Sequence, residues 1–221
     1  MSRETKNSHS NDSEIHMKIL HIDSSILGTN SITRDLTAAV IAELSASDQG
    51  AEIAYLDLVT DPVGHMDDVV AAGFRPNVVA NIDATGQYEQ QLSDRLVAQF
   101  LASDIVVIGA PMYNFSVPTQ LKAWMDRIAQ PGKTFKYTET GPIGLAGGKR
   151  VIVVSGRGGF YVEGPLIHMD FQESYLKAFF GFLGIHDVRF VRAEGASRGD
   201  TIRQKGIASA RAAIATALVT A

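Results

Sequence analysis

The sequence DIVVIGAPMYNFSVPTQLKAWMDR, residues 104–127, contains in succession the patterns of a strand, a loop and a helix. The apolar, β-branched run at 105–108 is typical of a buried strand, and the GAP motif at 109–111 should end it, because proline donates no ladder hydrogen bond. Pro118 is tolerated in the first turn of the following helix. Apolar residues recur on one face of that helix: Leu121, Trp124, Met125 and Ile128. The loop at 112–115 therefore follows the carboxyl end of a buried strand, where open α/β sheets bind ligands.

The composition is that of a globular chain of 221 residues, with 45% hydrophobic and 20% charged residues. This length suits one substantial domain or two small ones. The net charge of −4 comes without any block of basic residues, so no nucleic-acid partner is predicted. Cysteine is absent, which excludes disulfides and thiol chemistry and favours a reducing, cytoplasmic location.

The sequence predicts neither a membrane span nor a metal site. No apolar run reaches the roughly 18 residues that a membrane span needs. Residues 1–16, MSRETKNSHSNDSEIH, are polar and are expected to form a disordered extension, leaving residues 17–221 as one domain. His21 and His168 have no partner at ligand spacing, so we expect no bound metal.

Five apolar strands alternate with helices along the chain. Strands are predicted at 18–23, 52–58, 105–108, 150–155 and 187–193, with helices between them and after the last. The glycine- and aromatic-rich residues 131–149 should form a hairpin or long loop near the sheet edge. The helix before the last strand has a predicted buried face of Phe171, Tyr175, Phe179 and Leu183, with Gly184 as its C-cap. This alternation predicts a doubly wound, five-stranded parallel sheet with helices on both faces.

The first candidate binding loop follows the first strand. Ser25, Ser31 and Thr33 place three hydroxyls around the start of a helix, with Asn30 or Ser31 as its N-cap. A helix start also carries unpaired N–H groups and a partial positive charge, which suit a phosphate monoester. The alternative is a serine-rich loop with an ordinary cap. Neither the Walker pattern nor the Gly-x-Gly-x-x-Gly fingerprint occurs here.

Two further loops follow the third and fourth strands. One sets a polar residue between aromatic residues: Met112, Tyr113, Asn114 and Phe115. The other allows close backbone approach and carries a positive charge: Gly156, Arg157, Gly158 and Gly159. Each is individually compatible with a plain structural loop, with Phe115 in the core or Arg157 solvated. Their common position at the carboxyl edge of one sheet favours a single ligand crevice.

Taken in order, these motifs resemble the FMN-dependent NAD(P)H azoreductases, also described as NAD(P)H:quinone oxidoreductases of flavodoxin-like fold. The resemblance covers roughly residues 17–221. It rests on SSIL at 24–27, PMYNF at 111–115, TQLK at 119–122, FKYTETGP at 135–142, RGG at 157–159 and FLGI at 182–185. PMYNF in this setting is the most specific of these motifs.

The resemblance implies a bound FMN held by all three loops. Its phosphate would lie at Ser25, Ser31, Ile32 and Thr33. Met112, Tyr113, Asn114 and Phe115 would line the ribityl chain and ring, and residues 156–159 would contact the pyrimidine edge. The chain departs from the family at two positions: Thr33 stands where the family often has serine, and Gly156 replaces a serine whose side-chain hydrogen bond is lost.

The resemblance also implies ping-pong, two-electron reduction of quinones or azo compounds, with NADH or NADPH as donor. No catalytic side chain is predicted, because the cofactor carries the chemistry. Phe115, Phe160 and Tyr161, with Phe135 and Tyr137, are candidates for a substrate wall that a second subunit would complete in a homodimer. The rival functions are a flavodoxin-type electron carrier and, more weakly, a hydrolase that uses Ser25.

Overall fold

The computed structural model describes residues 16–74 and 83–219. The strands within these ranges are β1 (Lys18–Asp23), β2 (Glu52–Asp57), β3 (Ile105–Pro111), β4 (Phe135–Thr138), β5 (Gly141–Gly144), β6 (Arg150–Gly156) and β7 (Asp187–Ala193). The α-helices are α1 (Ile32–Ser47), α2 (Asp68–Gly73), α3 (Ala84–Ala102), α4 (Thr119–Ile128), α5 (Phe171–Phe182) and α6 (Asp200–Leu218). The extension predicted for residues 1–16 falls, except for His16, outside the described residues.

The five long strands form one parallel sheet in the order β2-β1-β3-β6-β7, which confirms the predicted architecture. Alternate residues of each strand face opposite layers. Leu20 and Ile22 pack into the core under α3, α4 and α5, whereas Ile19 packs into a second core under α1 and α6. From β1 the chain winds outward to β2, whereas from β3 it winds the opposite way, to β6 and then β7, so the strand order reverses between β1 and β3. That reversal opens a crevice at the carboxyl ends of these strands.

Strand β3 is longer than predicted. It continues through Pro111, which pairs with Gly156 of β6. The missing proline N–H does not end the ladder, because the next amide, that of Met112, donates to the Gly156 carbonyl at 2.8 Å. The prediction for Pro118 was also wrong: this residue is the N-cap, and α4 begins at Thr119.

The excursion at 131–149 is a β4–β5 hairpin, which confirms one of the two predicted forms. It packs against the C-terminal end of α5, where the amide of Ala146 donates to the Leu183 carbonyl at 2.9 Å. A side chain at Gly144 would overlap the backbone of Leu183 and Gly184. The glycine at 144 therefore sets how closely the hairpin approaches that helix.

The buried face predicted for α5 is partly wrong. Phe171 is 59% exposed, and the fully buried apolar positions are Leu176, Phe180 and Leu183. The helix is rotated about its axis relative to the prediction. Two polar residues near its start, Gln172 and Glu173, point into the protein and accept hydrogen bonds from β6 and the loop after it. In α6 the buried face includes Ala210 and Ile214. Among the described helices, none is both long and apolar enough to cross a membrane.

Candidate functional site

A cavity of about 290 Å³ lies at the carboxyl ends of β1, β3 and β6. It brings together members of all three predicted loops: Ser25, Ser31, Ile32, Thr33, Met112, Tyr113, Gly156, Arg157 and Gly158. It is also lined by residues that were not among the predicted cofactor-binding residues: Leu27, Asn30, Pro111, Ala196, Ser197 and Arg203. The predicted residues Asn114, Phe115, Gly159, Phe160 and Tyr161 are not part of this lining.

One end of the cavity carries hydrogen-bond donors of the kind that suit an anion. The side chains of Ser25, Ser31 and Thr33 are buried there. Ser31 is the N-cap of α1, since its Oγ accepts from the Arg34 amide at 3.3 Å and lies 3.1 Å from Thr33 Oγ1. The amides of Ile32 and Thr33 have no hydrogen-bond acceptor in the described chain. They add two donors and the positive end of the helix dipole to the hydroxyls.

An ion pair behind this end fixes the loop after β1. Both Arg34 Nη atoms donate to the Asp57 carboxylate at 2.7 Å, and Nη2 also donates to the Ser25 carbonyl at 3.1 Å. The hydrogen bonds from Arg34 lower the pKa of Asp57 to about 2. The charge of Arg34 is therefore matched by Asp57, and its role is to hold the loop rather than to contact a ligand.

The loop after β3 contains a strained two-residue turn. Tyr113 and Ser116 exchange backbone hydrogen bonds of 3.0 and 3.1 Å, and the two residues between them have positive φ, 48° at Asn114 and 71° at Phe115. This is the pattern of a type I′ turn, which normally places glycine second. Asparagine tolerates the left-handed region, but for phenylalanine it costs on the order of 1–2 kcal/mol.

The strained turn directs an aromatic ring to the rim of the site. Phe115 is 38% exposed, so the alternative in which its side chain lies in the core is wrong. Its ring meets that of Tyr161 edge to face, with centroids 6.4 Å apart. Phe115 and Tyr161 thus form an aromatic rim beside the cavity. Phe160 instead lines a larger open cavity of about 930 Å³ between its loop, β7 and α6.

The glycine loop after β6 lies against the segment after β7. The carbonyls of Arg157 and Gly158 accept from the amides of Ala196 and Ser197 at 2.9 and 3.1 Å, and the Gly159 carbonyl accepts from Gly195. A Cβ atom at Gly158 would lie 2.9 Å from Ser197 Oγ. Glycine at 158 avoids this contact. The Arg157 amide donates to the Ala193 carbonyl, whereas the amides of Gly158 and Gly159 have no acceptor among the described residues.

The two departures from the family pattern lie in contact. A Cβ atom at Gly156 would lie 3.0 Å from Thr33 Cγ2, which is tighter than ordinary van der Waals contact. The methyl group of Thr33 thus occupies the space that a side chain at 156 would need. The sequence could not indicate this compensation, because the two positions come from different strand ends.

Arg157 does not act as predicted. Its guanidinium is fully buried: Nε donates to Ser155 Oγ at 2.8 Å, and Nη2 donates to Glu173 at 2.6 Å. Nη1 lies 2.9 Å from Asp170 Oδ2, an ion-pair distance without hydrogen-bond alignment. Arg192 binds the same Glu173 carboxylate, and although burial raises the pKa of Glu173, these cations leave it below its usual value. The side chain of Arg157 is therefore an internal anchor rather than a positive charge directed at a ligand.

A carboxylate tethers the loop that carries the aromatic rim. Glu194 Oε1 accepts from the amides of Tyr161 and Val162 at 2.6 and 3.1 Å, and it lies 3.5 Å from Arg157 Nη1. Sequence reasoning missed Glu194, because it belongs to a different strand end from the loop it holds. Within the described residues no group of three or more histidine, aspartate or glutamate side chains is arranged to hold a metal ion.

Residues 17–218 match a protein family described as having a flavodoxin-like fold. An FMN-dependent NADH:quinone oxidoreductase 2 from Xanthomonas axonopodis pv. citri is 57% identical over 199 residues, which cover 90% of this chain and 92% of that protein. The chain belongs to this family. A second FMN-dependent NADH:quinone oxidoreductase, from Ralstonia nicotianae, is 55% identical over 198 residues, covering 90% of this chain and 95% of that protein.

A solved structure agrees with this membership. The FMN-dependent NADH-azoreductase from Bacillus anthracis in complex with FMN matches with a TM-score of 0.80 and 28% identity, over 90% of this chain and 98% of that one. The cavity described above fits FMN. Its hydroxyl and amide end suits a phosphate, and its glycine side, where added Cβ atoms would crowd Thr33 and Ser197, suits the close approach of a flat ring.

The strain at Phe115 predicts a reversed order of stability between two variants. We expect Phe115→Gly to be more stable than Phe115→Ala by roughly 1 kcal/mol, because only glycine adopts this φ without cost. At an ordinary helical position the order is the opposite. Urea unfolding followed by circular dichroism measures both differences. Tyr88, exposed within α3, is the control, where alanine should be more stable than glycine. Alanine as the more stable residue at 115 would contradict the strain.

Proposed function

We propose that this protein is an FMN-dependent oxidoreductase that transfers electrons from NADH to quinones and azo compounds. The observation that carries the proposal is the convergence of the three loops on one cavity of about 290 Å³, in a chain 57% identical to an FMN-dependent NADH:quinone oxidoreductase. Those relatives are named as oxidoreductases of NADH and quinones, so turnover, rather than electron carriage alone, is the function. The hydrolase alternative is weaker, because Ser25 has no histidine or carboxylate beside it in the cavity lining.

The described residues would hold the cofactor from three sides. The hydroxyls of Ser25, Ser31 and Thr33, with the amides of Ile32 and Thr33, would bind the phosphate. Met112 and Tyr113 would line the ribityl chain, and Tyr113 Oη joins this loop to the first by accepting a hydrogen bond from the Ile26 amide at 3.3 Å. The amide of Gly158 would stabilise negative charge at the pyrimidine edge as a preorganised donor.

Bound FMN would accept a hydride from NADH and pass two electrons to the second substrate. The cavity lining includes no carboxylate and no histidine among the described residues, so we infer that protons come from solvent. Phe115 and Tyr161 form the apolar rim over which a flat substrate would stack, and they exclude water from it. One open face for both substrates in turn implies ping-pong kinetics.

We also propose that the protein is a homodimer in the cytoplasm. Exposed apolar side chains cluster on the loops that surround the site: Ile26, Leu27, Phe115, Phe160, Val162, Ile167 and Phe171. A set of this size on one edge of a soluble chain is typical of an interaction surface. A second copy covering it would complete the substrate wall. The absence of cysteine suits a reducing compartment.

The dimer predicts a change of mass in a charged variant. Ile167→Asp combined with Phe171→Asp should shift the protein from dimer to monomer, because two carboxylates would be buried without partners. Sedimentation velocity measures the mass, and Tyr88→Asp, exposed on α3, is the control. A wild-type monomer at micromolar concentration, or a double variant that stays dimeric, would count against this surface.

The proposed reaction is tested directly by reconstitution and turnover. The protein incubated with FMN and desalted should retain a flavin absorbance band, and it should oxidise NADH with menadione as acceptor. Double-reciprocal plots at several menadione concentrations should give parallel lines, as ping-pong kinetics require. Retained FMN without turnover would support the electron carrier, and a protein that cannot retain FMN would refute the cofactor.

The tether at Glu194 predicts a selective effect on the quinone. In Glu194→Ala the amides of Tyr161 and Val162 lose their acceptor, so the rim should loosen and the KM for menadione should rise roughly 5- to 10-fold. Because Glu194 does not line the FMN cavity, FMN affinity should stay within about twofold. Glu194→Gln keeps an acceptor oxygen and should restore most of the KM. An equal rise in the KM for menadione in both variants, or a loss of FMN affinity, would assign Glu194 a general structural role.

A further inference from the structure

We propose that Arg203 supplies the positive charge that pairs with the phosphate of FMN and selects FMN over riboflavin. The inference rests on the proposed function, because it concerns the same cavity. Arg203 lies in α6, outside all three loops, yet it lines the cavity together with Ser31, Ile32 and Thr33. It is a further cofactor-binding residue supplied by the last helix of the chain.

The packing of α1 against α6 brings Arg203 to the phosphate end. Arg211 of α6 pairs with Asp35 in the first turn of α1 at 2.6 Å. Arg203 lies about two turns closer to the start of α6, and its Nη2 reaches the carbonyl of Asn30 at 3.5 Å. Asn30 directly precedes the N-cap Ser31. The guanidinium therefore stands at the N-terminus of α1, beside the donors already described.

The charges around the cavity leave Arg203 without a carboxylate. Arg34 is matched by Asp57, and Arg157 is matched by Asp170 and Glu173. Among the described residues no aspartate or glutamate lies within 4.0 Å of the Arg203 guanidinium, and its one hydrogen bond is the long contact to Asn30. It is thus the cation of the cavity lining whose charge the protein itself does not neutralise.

An unneutralised guanidinium at a helix N-terminus is unfavourable, since both are positive. A phosphate monoester between them removes this repulsion and accepts hydrogen bonds from both. Arg203 is held by a single weak contact and is half-buried, so its guanidinium can turn from Asn30 toward the anion. Its planar donor pair suits two phosphate oxygens at once. Riboflavin has the same ring and ribityl chain without the phosphate, so it would gain nothing from Arg203.

The experiment compares the two flavins on variants of one residue. Flavin fluorescence quenching measures Kd for FMN and for riboflavin with the flavin-depleted protein, once wild-type protein has been shown to recover turnover on reconstitution. In Arg203→Gln the Kd of FMN should rise roughly 10- to 100-fold, as expected for a lost charge-assisted hydrogen bond. The Kd of riboflavin should change less than about twofold. Arg203→Lys should recover part of the FMN affinity, and Lys205→Gln, on the same helix but outside this cavity lining, should behave as wild type.

Salt adds a second readout, because the FMN preference of wild type should shrink at high ionic strength while that of Arg203→Gln stays small. An unchanged Kd of FMN in Arg203→Gln would overturn the proposal. An equal loss of affinity for FMN and riboflavin would also overturn it, because it would indicate a structural role. A raised KM for NADH with unchanged FMN affinity would overturn it as well, because it would assign Arg203 to dinucleotide binding. Wild-type protein that binds neither flavin would instead overturn the proposed function itself.

Discussion

The hydrogen bond from the Met112 amide to the Gly156 carbonyl closes the β3–β6 ladder, and the geometry of the site depends on it. It carries the pairing of the two central strands one residue past Pro111, which has no N–H to donate. The loop after β3 and the glycine loop therefore leave the sheet at the same level and side by side. The loop after β1 joins them because its strand pairs with β3 on the other side. Three short loops thus meet around one cavity without a long insertion.

Charge is distributed around this cavity in two ways. Arg34 and Arg157 lie close to it, but each is held by carboxylates and serves to fix a loop. Breaking such a buried pair by removing one partner typically costs about 3–5 kcal/mol, so these networks rigidify the loops at the expense of tolerance to substitution. Among the described residues Arg203 has no such partner, and the positive end of α1 lies beside it. This positive charge therefore lies at the end of the cavity where we propose that a phosphate binds.

The turn at Asn114 and Phe115 illustrates a cost that the site imposes on stability. Glycine would be the less strained choice at 115, yet it would remove the ring that meets Tyr161. The rim is completed by a loop that Glu194 holds through two backbone amides. Aromatic surface is thus what this chain places beside the cavity. The neighbouring exposed apolar residues are the observation on which the proposed homodimer rests.

The sequence by itself determined the strands, the helices and the three loops, because hydrophobic periodicity and helix capping are local properties. The limits of β1 and β7 agree with the prediction, and the N-cap of α1 is Ser31, one of the two predicted candidates. The tertiary structure alone decided what depends on partners far apart in the chain. Arg157 pairs with Glu173 of α5. Gln172 and Glu173 therefore point inward, and the buried apolar face of α5 differs from the predicted one. Thr33 fills the space beside Gly156, Glu194 tethers the rim, and Arg203 reaches the start of α1 from the last helix. Spacing along a chain reports which residues share a face, whereas the charge left unpaired at a site depends on every element packed around it.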